Sequence, residues 1–201
     1  MPLPPLPPVM ETDLRYQSGN WAVGASSFTS FDMTQSMAYE DGKSVVFDVS
    51  GDNASVIEIS GDVKPSATYI MNPLKHAYQF SGNIAGGTVY KSQLGTATLN
   101  GDITTTDSLI ISEGVLVVNG TIAAPLALRA RGTLAGNAVV DGTATFEGAL
   151  NYEGCRLSPG TEDAPFGVIT FNKSLTLTGD VYVELNLQTE GETKVDLIHV
   201  N

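Results

Sequence analysis

Ala97-Thr98-Leu99-Asn100-Gly101 and, 19 residues further on, Leu116-Val117-Val118-Asn119-Gly120 share one plan: a short run of β-forming residues that ends in Asn-Gly. The same plan, with a small polar residue before the glycine, recurs outward in both directions. It appears in Ile57-Glu58-Ile59-Ser60-Gly61 and Tyr78-Gln79-Phe80-Ser81-Gly82 before the pair. After it come Ala138-Val139-Val140-Asp141-Gly142, Arg156-Leu157-Ser158-Pro159-Gly160 and Leu175-Thr176-Leu177-Thr178-Gly179. Aligned on their glycines, the seven are 21, 19, 19, 22, 18 and 19 residues apart. A second set of β-rich runs lies between them: Phe47 to Gly51, Thr68 to Asn72, Thr88 to Lys91, Leu109 to Gly114, Leu126 to Ala130, Thr145 to Gly148 and Val168 to Asn172.

Each period of about 20 residues therefore holds at least two strands, which is the signature of a β-solenoid. Asn-Gly also closes two-residue hairpins, so a hairpin sandwich is the main rival, but a sandwich needs no constant period. No stretch of ten or more residues carries apolar side chains at helical spacing, which disfavours α/β folds. Alternate side chains, such as Ile57 and Ile59 or Leu175 and Leu177, point inward, and coils stack at ~4.8 Å. About eight coils would make a rod roughly 40 Å long. The glycines, with Asn and Asp before them, are expected at corners that need a positive φ.

At Ile84-Ala85-Gly86-Gly87-Thr88-Val89-Tyr90-Lys91-Ser92-Gln93-Leu94-Gly95-Thr96-Ala97-Thr98-Leu99-Asn100-Gly101 the chain resembles the autotransporter-associated β-strand repeat of bacterial passenger domains. Asp41-Gly42-Lys43-Ser44-Val45-Val46-Phe47-Asp48 is similar to that family's upstream segment, and Gly114 to Gly120 to its closing strand and turn. Leu157-Ser158-Pro159-Gly160, then Phe166 to Phe171 and Asp196 to Val200, are similar to the end of such passengers, so the resemblance runs from about Trp21 to Asn201. It implies a right-handed parallel β-helix outside a bacterial cell, as a section of a larger surface or secreted protein. It implies no shared chemistry. The sequence expectation is thus an all-β, right-handed parallel β-helix over residues 14–201, with 14–44 as an N-terminal cap. Residues 1–13, with five prolines among the first eight, read as an extended linker. The C-terminus, ending inside a strand pattern, reads as truncated.

Composition narrows the partners. With 22 acidic and 10 basic residues the formal net charge is −12, and four Arg plus six Lys spread over the whole length cannot form the cationic stripe that binds nucleic acid. The same sign disfavours anionic membrane surfaces, and no apolar run approaches the roughly 18 residues of a membrane span. Neighbouring domains of a longer polypeptide, and glycans, are the expected partners.

Reactive groups are sparse. His76 and His199 are far apart in sequence and lack metal-ligand spacing, so no metal is expected at them. Cys155 is the single cysteine and reads as a small buried hydrophobe. Asp48-Val49-Ser50-Gly51-Asp52-Asn53 offers four oxygen-bearing side chains but matches no calcium-loop order, and a solvated acidic face is its default reading. Arg129 and Arg131, two apart, would share the face of a strand and invite comparison with polysaccharide lyases, yet no acidic residue lies between Gly114 and Asp141. No catalytic, cofactor-binding or metal residue is therefore expected. Trp21, Tyr69, Tyr78 and Tyr90 are candidates for stacking on sugar rings, with an inward, core-forming ladder as the competing reading. The expected function is a non-catalytic stalk or display element on a bacterial surface or in a secreted protein. A carbohydrate-binding or adhesin module, and more remotely a lyase, are the alternatives.

Overall fold

The computed structural model describes residues 10–53, 55–105, 107–149, 154–190 and 192–201. The linker reading of residues 1–13 falls mostly outside these. The described residues contain strands and turns with no helix, and so no helix long and apolar enough to cross a membrane. The strands stack as a β-solenoid with a repeat near 21 residues, regular over roughly five turns.

Each turn has three faces. On the first, eight parallel strands stack in chain order, beginning with Leu14–Tyr16, Val45–Phe47, Ala67–Met71 and Thr88–Ser92. The first halves of Leu109–Val118 and Leu126–Gly136 follow, then Ala144–Glu147 and Leu175–Thr178. The second face carries Ser55–Glu58, Tyr78–Ser81, Thr96–Asn100, the second halves of the two long strands, Cys155–Pro159 and Val181–Val183. The third begins as single bridges linking Val63, Ile84, Ile103 and Ile122 and widens into Val139–Val140, Val168–Phe171 and Leu197–Val200. Seven steps of ~4.8 Å along the first face give a stack of ~34 Å.

Registration places like on like in the interior. Phe47, Ile70, Lys91, Ile111, Leu128, Phe146 and Leu177 form one inward row of the first face. Tyr78, Ala97, Leu116, Leu134 and Leu157 form one on the second, and Ile84, Ile103, Ile122, Val140 and Phe171 one on the third. These rows merge into one core running from Leu14 to Phe171. At the N-terminal end the antiparallel pair Phe28–Thr29 and Ser36–Met37 folds across, Trp21 and Phe28 pack against Phe47, and Tyr39 meets Trp21 edge-on. Leu14–Tyr16 is already a rung of the solenoid, paired in parallel with Val45–Phe47. At the other end the inward-facing Leu177, Val183 and Val200 are about half exposed.

Two expectations about the corners are corrected. Strands of the first face start at Val45, Ala67, Thr88, Leu109, Leu126 and Ala144, steps of 22, 21, 21, 17 and 18 residues, but the next step, to Leu175, is 31. The steady glycine spacing conceals this expansion because the glycines do not all occupy the same corner. Gly101 packs on Gly82 and Gly120 on Gly101, whereas Gly142 packs on Ala124 and Gly179 on Gly148. The second correction concerns backbone conformation. Gly61, Gly82, Gly160 and Gly179 adopt positive φ as expected, but Gly101, Gly120 and Gly142 do not, and no Asn or Asp of the described residues does. Gly101 is required instead by proximity, since an added Cβ would overlap the Gly82 carbonyl. The asparagines serve as rungs between coils: Asn119 Nδ2 donates to Asn100 Oδ1 at 2.9 Å, and Asn119 Oδ1 accepts from the Asn137 amide at 3.2 Å. Asn172 and Asn201 continue a second ladder from Asp141, at 2.7 Å per step.

Candidate functional site: a groove along the second face

The expanded coil changes the outside of the second face. Outward positions on the flat strands form two rows, Gln79, Thr98, Val117, Ala135, Ser158 and Thr96, Val115, Thr133, Arg156, Tyr182. After Pro159 the chain leaves the coil, crosses back through an antiparallel bridge between Gly136 and Gly160, and turns tightly between Thr161 and Ala164. That turn, with Asn186, walls a groove of about 760 Å³ over the rows. Asn100 and Asn119 line it as well.

The floor mixes hydroxyl and amide side chains with the apolar Val115, Val117 and Ala135. Arg156 donates through Nη1 to Glu184 Oε1, and its guanidinium carbon lies 5.1 Å from the Tyr182 ring centroid. Glu162 and Asp163 stand exposed on the wall. With Arg156 engaged by Glu184, Glu162 and Asp163 give the groove an excess of negative charge. Asp196 braces the wall from behind: it is buried, its Oδ1 accepts from the Gly167 amide at 2.8 Å, and its Oδ2 accepts from the Asn186 amide at 2.7 Å.

The aromatic candidates from sequence divide between core and surface. Trp21 and Tyr78 are fully buried and cannot stack on a ligand, because inward positions at the closed end of the solenoid recruit its largest side chains. The Tyr78 hydroxyl is consumed by the Asp48 carbonyl, and burial with Asp48 nearby raises its pKa. Tyr69 and Tyr90 do face outward on the first face, but they stack on each other, with centroids 5.1 Å apart and planes 8° apart. Tyr69 is covered almost completely there, and burial raises its pKa.

The remaining reactive groups have structural duties. Asp48 Oδ1 accepts from the Ser50 amide and hydroxyl, and Oδ2 pairs with Arg15 at 3.3 Å. Asn53 bridges to Lys75 and Ala77 of the next coil. Ala130, at φ 39°, forms a corner between Arg129 and Arg131, so the two are not simple alternate positions on one face. Arg129 registers with Glu147 on the first face, whereas Arg131 bonds Glu113 at 2.6 Å. Burial pushes the Cys155 thiol up to about 11, leaving it a poor nucleophile. Among the described residues no three His, Cys, Asp or Glu side chains converge as metal ligands.

The groove was not legible in the sequence, because the wall reads as an ordinary turn and the displaced glycines mask the long coil. A usable signal existed in the spacing from Thr145 to Leu175, which the glycine alignment passed over. Fold and groove together define the class: a β-solenoid with a hydroxyl-bearing, acid-lipped groove on one flat face. No protein-family model matches the chain, and comparison with curated proteins and with solved structures gave no match.

Proposed function

We propose that this chain is a non-catalytic stalk or display element of a bacterial surface or secreted protein, joined to neighbouring domains of a longer polypeptide. The observation that carries this reading is the unbroken core from Leu14 to Phe171, flanked by three parallel hydrogen-bonded faces. Bending such a rod strains ladders on all three faces at once, and adding or removing a coil changes its reach by a fixed ~4.8 Å step. Immunolabelling of intact cells that make the protein, together with assay of their medium, tests the location. Surface or medium signal is expected, and signal found only after lysis contradicts the proposal.

A carbohydrate-binding role is the second reading, favoured by the expanded coil that breaks the period and walls the groove. Hydroxyls and amides on its floor suit neutral or amino-sugar polymers, and the acidic lip repels uronates. Binding on a glycan array that is lost in Arg156→Ala supports this role; no saturable binding to neutral or amino-sugar polymers removes it.

A further inference from the structure

One interior row contains a charged residue where its neighbours are apolar. Lys91 lies between Ile70 and Ile111 in the inward row of the first face and is fully buried. Its ammonium turns toward the corner between the first and second faces. There it donates to the carbonyl oxygens of Ser92 at 3.0 Å and Gln93 at 2.8 Å in its own coil, and of Glu113 at 3.3 Å in the next. Gln93 has φ 61°, a conformation costly for a side chain with a Cβ. Gly114 keeps the space open: a Cβ there would lie 2.8 Å from Nζ and 2.6 Å from the Gly95 carbonyl oxygen, and would overlap that of Gln93. Several carbonyl dipoles thus converge on one small volume that only a cation or a strong donor can stabilise. The preceding corner meets the same need differently, with Asn72 Nδ2 donating to the carbonyls of His76 at 2.6 Å and Thr96 at 2.8 Å.

We infer that the carbonyl oxygens of Ser92, Gln93 and Glu113 form a monovalent-cation site which the chain fills with its own Lys91 ammonium. Shortening that side chain opens the site to a free ion of similar size, ammonium or potassium. The charged group facing it is Glu113, itself paired with Arg131, and Glu113 opposes the fall in the Lys91 pKa caused by burial.

Two measurements test this. In the native protein at pH 5.5, nitrogen-15 NMR of lysine side chains should show one ammonium whose protons exchange at least tenfold more slowly than the other five. Uniformly fast exchange overturns the assignment without any variant. In Lys91→Ala, thermal denaturation is compared in ammonium, potassium, sodium and tetramethylammonium chlorides at equal ionic strength. Ammonium or potassium at about tenfold above its dissociation constant should stabilise the folded state by RT ln 11, a roughly tenfold gain in the folding equilibrium. Tetramethylammonium, too large for the corner, should give no such gain. Equal effects of all four salts, the same selectivity in the native protein, or an Ala variant that stays unfolded in every salt while Lys91→Met folds, overturns the open-site claim. A gain with ammonium alone identifies a donor-dependent site, and a gain with potassium as well a size-dependent one; both support it.

Discussion

Gly101 and Gly61 separate two reasons for a glycine at a corner. Gly61 has φ +79° with open space around it, so Gly61→Ala meets only backbone strain and should cost about 1 kcal/mol. Gly101 has an ordinary φ but lies against the Gly82 carbonyl, so Gly101→Ala must push two coils apart and should cost about 2 kcal/mol or more. Urea unfolding of the two variants checks the order, and equal losses would refute the packing explanation. Lys91 supplies a pH test at the same scale. Burial lowers its pKa from 10.5 to about 7, so between those values the unfolded chain holds a proton that the folded chain has released. Stability should therefore rise as pH increases from about 7 toward 9.5, by up to about 1.4 kcal/mol per unit, and Lys91→Met should lack that slope. A native protein whose stability falls or stays flat across this window refutes the lowered pKa and shows that the three carbonyl oxygens offset the cost of burial. The sequence carried a signal for Lys91 in its alternation: Val89 points inward, so the residue two positions on must as well, yet a charge in a strand is read by habit as solvent-facing.

Individual strands explain what was legible and what was not. Phe80, Leu99 and Val118 could be phased from sequence because each lies two residues before a glycine at the same corner, whereas Ile57, in register with Phe80, lies four before Gly61. The phase fails at Ala138-Val139-Val140-Asp141-Gly142 and Leu175-Thr176-Leu177-Thr178-Gly179. The first run lies on the third face and the second on the first, each followed by a glycine at another of the three corners. A glycine marks a corner without saying which one, and only the order of strand pairing resolves the ambiguity. Tyr69, Tyr78 and Tyr90 show the same limit, since strand parity alone does not say which side of a strand is the core. The asparagine ladder should matter as an element. Asn119→Ala removes hydrogen bonds to both neighbouring coils and should cost about 1 kcal/mol, measurable as a lower unfolding midpoint. An unchanged midpoint would mean that solvent replaces the ladder at no cost.

The whole molecule behaves as a stack whose length is set by coil number, and this is the property on which the stalk proposal depends. Residues 109–125 make one coil, because Leu126 follows Leu109 in register on the first face and both are buried in the same interior row. Deleting them lets Leu126 take the place of Leu109 on Val89, leaving one coil fewer in the same core. Small-angle X-ray scattering of the native protein and this deletion, with circular dichroism to confirm the β content, tests the stack directly. The account predicts a cooperatively folded variant with an unchanged cross-section and a longest dimension reduced by ~5 Å, one coil spacing. A variant that loses its β structure, or one that narrows in cross-section while keeping its length, would contradict it.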